Sequence, residues 1–245
     1  MTTDEQAEGQ YIERVLDEAA AQIAAPFHVT IDLETLGVGN APVLLSLGAV
    51  KHTRTEILDR FHVRIDPASC PEPMKIDAGT VEWWLQDEQS QARQALLAHE
   101  KVDLASALVG FAQWLGDTPI GVWGNGATAD NVWLRNAFAA AGLECPWPFW
   151  VDRCYRTMKN QVLVQVEREG THHDALADAE YQARHLMAIW AKLDGDHYLL
   201  ETSAKQFRFY EGQHRAKGTP EADEKAQVNA DLAARIEHHL IGSPL

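Results

Sequence analysis

No run of apolar residues in the 245-residue chain comes near the roughly 18 that a membrane span requires, and the opening MTTDEQAEGQ is acidic where a secretory leader would be basic. Both absences point to a cytoplasmic protein with no membrane partner. Cysteine is scarce: Cys70, Cys145 and Cys154 are three in number with no close spacing, which argues against a disulfide framework and against a zinc knuckle and leaves reduced thiols. Positive charge is short as well. The formal net charge of -15 argues against non-specific binding to polyanions, since phosphate attraction is driven by Lys and Arg. The deficit is uneven, however. Residues 66 to 117 hold nine acids and three bases, residues 118 to 170 hold five of each, and Lys205, Arg208, Arg215 and Lys217 outnumber Glu211 between 205 and 217. Local basic surface is therefore available. Internal repeats and long low-complexity tracts are absent too, and a chain of this length can bury one large core with appendages.

What is present reads as an alternation of elements. Tyr11, Ile12, Val15, Leu16, Ala19, Ala20 and Ile23 recur at helical spacing over residues 9 to 25, ending before Pro26. Three β-like runs follow, Phe27 to Leu33, Val43 to Lys51 and Leu58 to Ile65, with short polar separators that suit an antiparallel meander. After CPEP come helical stretches at Thr80 to Gln86, Ser90 to Ala98 and Asp103 to Leu115, the last with Leu104, Leu108, Phe111 and Leu115 on one face. A strand at Ile120 to Trp123 leads through a glycine turn into a helix that Gly142 ends. A strand at Phe149 to Val151 and a helix from about Asp174 to Leu193 complete an α/β domain with a mixed sheet. EGQHRAKGTPEADEKAQ reads as an exposed linker, and Val228 to Leu240 as a closing helix. The expected division is an N-terminal helical appendage at 1–26, a main domain at 27–195 and a C-terminal helical tail at 196–245.

Within the first run, TIDLETLGVG sets Asp32 and Glu34 two residues apart, so both carboxylates share the strand face opposite Val29, Ile31 and Leu33. Like charges this close raise each other's pKa and repel unless a cation lies between them, and an oxygen-rich site for a hard divalent metal is the simplest remedy. The alternative is an edge strand whose polar face meets water. Partners for the pair exist at two helix starts. Asp130 opens the helix after the Ile120 strand, and Asp178 lies inside the helix after THH; taken alone, the first is equally a first-turn acid favoured by the helix dipole and the second a solvated helix residue. In HHDALAD, His173 precedes Asp178 with four residues between, which brings an imidazole over the end of the helix, while Asp174 suits an N-cap. His172 is the fallback for His173.

DLET at Asp32 to Thr35, ADNVWL at Ala129 to Leu134 and HHDALAD at His172 to Asp178 resemble, in that order, the three motifs of DEDDh-type 3′-to-5′ exonucleases on a ribonuclease-H-like fold. TVEWWLQ, VWGNGATAD and PWPFW narrow the resemblance to the branch of mycobacterial-type exoribonucleases and phage exonuclease A-like proteins, over about Phe27 to Trp190. Ala129 departs from the Phe often found there, which keeps Asp152 of WVDRC as the alternative to Asp130. The resemblance implies a mixed β-sheet flanked by helices and a 3′-5′ exonuclease acting on single-stranded nucleic acid. It implies that Asp32, Glu34, Asp130 and Asp178 hold two Mg²⁺ or Mn²⁺ ions at the scissile phosphate, and that His173 takes the proton from the attacking water. By the same resemblance Thr35 and Leu36 meet the terminal nucleotide.

Trp83 and Trp84 offer a stacking surface for a base, although neighbours on a helix point about 100° apart and at least one is expected in the core. Trp123 and Trp133 are expected in the core. Arg153, Arg156 and Lys159 suit either phosphate contacts or a solvated helix face, and KQFRFYEGQHRAK could guide a single strand. A homodimer through the first helix or the tail from 218 is compatible with the pattern. The competing readings are a non-catalytic nucleic-acid or protein-binding module on the same fold, a ribonuclease-H-type endonuclease, and a small-nucleotide phosphohydrolase.

Overall fold

The structure, a computed structural model, describes residues 26–97, 100–126 and 128–241. The expected helix over residues 9–25 lies outside the described residues. Alternating apolar residues form β1 (His28–Thr35), β2 (Leu44–His52) and β3 (Ile57–Arg64), joined as the expected antiparallel meander. β4 (Gly121–Gly124) and β5 (Asp152–Cys154) add in parallel, giving a mixed sheet of order β3-β2-β1-β4-β5. β1 is thus central, hydrogen-bonded on both sides and buried from Val29 to Thr35. That position rules out a solvated edge strand for Asp32 and Glu34.

The helices are α1 (Ala78–Leu85), α2 (Ser90–Leu97), α3 (Leu104–Leu115), α4 (Asp130–Ala140), α5 (Tyr155–Gln161), α6 (Ala175–Arg215) and α7 (Pro220–Ile241). Acids cap several of them: the side chains of Asp77, Asp103 and Asp174 accept from the amides of Thr80, Ser106 and Ala177. The main core fills one face of the sheet, where Val29, Ile31, Leu33 and Leu47 meet Leu108 and Phe111 of α3 and Leu134 and Phe138 of α4. α6 covers the other face. It does so with small residues, Ala179 and Ala183 against Val50, and then with Leu186 and Trp190 against Trp123 and Tyr155.

Close approach at the start of α6 depends on one glycine. Gly48 pairs with Asp32 across β1 and β2, and a Cβ built there would lie 2.2 Å from the backbone of Ala175. No side chain fits between strand and helix at this point.

Two expectations differ from the structure. Phe149–Val151 forms a 3-10 turn, and the strand begins only at Asp152, because the aromatic run PWPFW carries Pro at two positions and closes a loop before β5 can pair with β4. The helix from Asp174 does not stop near Leu193 but continues to Arg215, past the expected domain boundary at 195, and EGQHRAKGTPEADEKAQ is a helical hairpin rather than a linker. Charges in the stretch read as a linker are ion pairs one turn apart, Arg215 with Glu211 and Lys225 with Glu221; just before it Lys205 pairs with Glu201, and Arg208 crosses to Glu237 on α7. Ala204, Ala222, Ala226 and Ala233 are buried along the hairpin. Among the described residues no helix is long and apolar enough to cross a membrane.

At the end of β1 away from Glu34, two histidines stack in the interior. His28 lies 5.6 Å from His52 and 4.8 Å from Trp190 between ring centroids, His28 Nδ1 accepts from the Trp123 indole, and His52 Nε2 bonds the Thr30 hydroxyl. Burial lowers both pKa values to about 4, with Arg54 and Arg153 adding to the effect at His28. Because the folded values lie below the ordinary 6.5, their contribution to stability is present above pH 6.5 and is lost as pH falls toward 4. Buried carboxylates with raised pKa values act in the opposite direction, so the check is the difference between variants: in denaturant titrations at pH 7 and pH 4.5, acidification should treat His52→Gln more favourably than the wild type, with His52 alone accounting for on the order of 3 kcal/mol at the acid limit. Gly48→Ala should cost about 3 kcal/mol or more in the same assay at pH 7, since backbone rather than a movable side chain opposes the new methyl.

Candidate active site

The site lies where β1 and β4 end and α4 and α6 begin. A cleft of about 630 Å³ is lined by Asp32, Glu34, Thr35, Trp83, Trp84, Asn125, Asp130, Trp133, Arg156, His173 and Asp178, among others. A neighbouring hollow of about 660 Å³ over Gly37–Pro42 shares Asp77 with it but contains none of these acids. The chemistry therefore concentrates in the first.

Asp32 and Glu34 project from β1 on the face that α6 covers, and both are buried. Asp32 Oδ1 accepts from Gln182 Nε2 at 2.7 Å. Asp130 arrives from the other side of the strand end. Its Oδ1 accepts from the Leu33 amide at 3.2 Å and its Oδ2 from the Asn125 amide at 2.6 Å, so the carboxylate ties α4 to the ends of β1 and β4. Gly124 permits the approach, since a Cβ there would lie 2.1 Å from Asn131 Oδ1. Asp178 stands in the first turn of α6, where its Oδ2 accepts from the His173 amide at 3.2 Å and its Oδ1 is paired with Arg168.

His173 has a left-handed backbone, φ 62°, which turns its ring into the cleft edge-on to Trp83 at 4.8 Å. His172 is exposed and does not line the cleft. Among the described residues, Glu34, His173 and Asp178 offer ligand atoms that all lie within 4.8 Å of one another.

Burial first, then the charges of Asp130 and Glu34, raises the Asp32 pKa well above the usual carboxylate range. Glu34 is pushed up to about 8 by burial and by Asp130 and Asp174, and Asp130 to about 6 by burial against the pull of its amide bonds. Burial, then His172 and Arg168, lowers the His173 pKa, which favours a neutral imidazole. Three desolvated acids of one sign and an adjacent neutral imidazole make a donor set suited to a hard divalent cation.

The remaining candidates divide. Thr35, Trp83 and Trp84 all border the cleft, but Trp84 is buried and its indole donates to the Thr35 carbonyl at 2.8 Å. Trp84 therefore supports the strand end rather than offering a free face. Leu36 packs against the main core and is not among the cleft-lining residues. Asp152 accepts from Arg135, Asn131 and the Trp147 indole, which places it in a structural network outside the cleft. Trp123 is in the core as expected, and Trp133 packs on the core while also lining the cleft. Of the three cations near β5 and α5, Arg156 reaches the cleft and bonds the Asn125 carbonyl; Arg153 is held by the carbonyls of Trp150 and Asp152, and Lys159 lies over Tyr155. Lys205, Arg208 and Arg215 are paired with acids along the hairpin, which leaves little free charge to guide a strand.

The model of the 3′-5′ exoribonuclease Rv2179c-like domain matches residues 27–190. The chain belongs to this family. Among solved structures, exonuclease I is similar over 66% of this chain and 40% of its own, with 12% identity and a TM-score of 0.48. A moderately thermophilic exonuclease I from Methylocaldum szegediense is similar over 66% and 40%, with 10% identity and a TM-score of 0.46. A product-bound exonuclease I is similar over 74% and 48%, with 11% identity and a TM-score of 0.48. The chain spans less than half the length of these structures. No curated protein matches it.

In this Rv2179c-like domain two polar side chains at the acids escaped the sequence reading. Gln182 follows Asp178 by four residues, so helical spacing alone sets both on one face of α6. Arg168 had no such signal, because it comes from the irregular segment between α5 and α6. The two tryptophans provide a direct check of the geometry. Trp84→Ala should cost about 3–5 kcal/mol in urea denaturation, whereas Trp83→Ala should cost about 1 kcal/mol or less.

Proposed function

We propose that the protein trims single-stranded RNA from the 3′ end, one nucleotide at a time, with divalent-metal-assisted hydrolysis and His173 as general base. The observation that carries the proposal is the meeting of Asp32, Glu34, Asp130, Asp178 and His173 in one cleft, drawn from three elements and a loop spread over more than half the chain. The family description supports RNA as the substrate.

Asp32, Glu34, Asp130 and Asp178 would hold Mg²⁺ or Mn²⁺, a choice favoured by their oxygen donors. Bound divalent ions supply charge to activate water and to stabilise the departing 3′ oxygen. The chain's own residues do the rest. Gln182 fixes Asp32 Oδ1, and the amides of Leu33 and Asn125 fix both oxygens of Asp130, so neither carboxylate must reorganise during reaction. The imidazole of His173, kept neutral by burial and by Arg168, accepts the proton of the attacking water at a ring nitrogen. Trp83 presents a ring beside His173 on which the terminal base can stack, and Arg156 lies where a phosphate oxygen would meet its guanidinium. Thr35, held by the Trp84 indole, supplies the cleft wall.

A time course with 5′-labelled RNA and DNA of one sequence, in Mg²⁺, in Mn²⁺ and in EDTA, tests this reading. A metal-dependent descending ladder, faster on RNA, is expected. Asp32→Ala and Asp178→Ala should abolish it, and His173→Ala should slow it by roughly 10² to 10⁴. Intact substrate in every lane, or normal rates in Asp32→Ala, would sink the proposal. A faster ladder on DNA would overturn the choice of RNA alone.

A further inference from the structure

The segment from Val162 to Gly170 has no regular structure, yet it is held against α6 at three points. His185 Nε2 bonds the Val164 carbonyl at 3.0 Å, Arg184 pairs with Glu169 at 3.3 Å, and the Arg168 guanidinium lies 4.9 Å from the Tyr181 ring centroid. The three anchoring side chains occupy neighbouring positions on one stretch of helix. Together they present Arg168 to the acid cluster, where it forms an ion pair with Asp178 Oδ1. Among the described residues, Nη2 of Arg168 and Oδ1 of Asp178 have no partner besides this ion pair, and Nε of Arg168 is buried without one. The second oxygen of Asp178 accepts from the His173 amide. The charge of Arg168 also reaches further, favouring ionised Asp32 and disfavouring protonated His172 and His173.

We infer that Arg168 is a resident counter-ion of the acid cluster, whose ion pair with Asp178 a divalent cation must displace in order to ligate that carboxylate. The inference rests on the reading of Asp178 as a metal ligand. A guanidinium and a divalent ion on one half-buried carboxylate repel each other strongly, because the cleft screens charge less than water does. Arg168 therefore does two opposite things. It offsets repulsion among buried acids and so steadies the fold, and it weakens the first step of metal binding. Its reach is set by the loop anchors on α6, which makes it a positioning residue rather than a group that touches the reacting atoms.

Calorimetric titration of Mn²⁺ into the full chain distinguishes this role from a merely structural one, using the wild type, Arg168→Leu, Arg168→Gln and Arg168→Lys, with thermal unfolding of each in EDTA and in Mn²⁺. Arg168→Leu and Arg168→Gln should bind Mn²⁺ about fivefold more tightly than the wild type, the factor for an ion pair worth about 1 kcal/mol. Their unfolding temperatures should fall in EDTA and rise more on adding Mn²⁺. Arg168→Lys, which keeps the charge, should track the wild type in both assays. Should Arg168→Leu fail to fold, the Gln and Lys pair carries the comparison. Equal or weaker Mn²⁺ binding by the neutral variants overturns the inference alone. Absence of Mn²⁺ binding in every protein, wild type included, overturns the metal-site reading and the inference with it.

Discussion

Mutual repulsion among desolvated carboxylates is the constraint around which this molecule is arranged. Asp32, Glu34 and Asp130 are all buried, and their pKa values are raised chiefly because water has been removed from them. A protein interior tolerates such groups only where hydrogen bonds or opposite charge compensate. Three of the four acids at the site have a compensating partner. Gln182 serves Asp32, two backbone amides serve Asp130, and Arg168 with the His173 amide serves Asp178.

The scaffold follows from keeping those compensations in register. β1 is central because both of its neighbours are needed: β2 carries Gly48 opposite Asp32, which lets α6 approach, and β4 ends at Gly124, which lets α4 approach. A bulkier residue at either position would push a carboxylate-bearing helix away from the strand. α6 then carries several duties along one rod. Its first turn holds Asp178, its next turns carry Gln182 and the anchors for the Arg168 loop, its middle covers the sheet with alanines and Trp190, and its distal half pairs with α7.

Much of the site was legible in the one-dimensional pattern. Strand alternation put Asp32 and Glu34 on one face, the glycine turn put Asp130 at a helix start, and the spacing of His173 from Asp178 placed both at the entry of α6. Other features depended on contacts between distant residues. The choice between Trp83 and Trp84 turns on the Thr35 carbonyl, the choice between Asp130 and Asp152 on Arg135 and Trp147, and Leu36 lies with the core instead of the cleft. The hairpin was misread as a linker because a polar, charged stretch looks alike whether its charges meet water or meet each other one turn away.

Sequence by itself determined the local chemistry: which residues alternate, which helices start at an acid, and which acids share a face, since those follow from the fixed periods of strand and helix. Tertiary structure alone decided that β1 is central and not an edge, that His173 and not His172 turns into the cleft, and that Arg168 reaches Asp178. The physical reason is that burial and counter-charge are properties of what packs alongside. Residues separated by a hundred positions supply the environment that sets each acid's charge, and no local pattern records them.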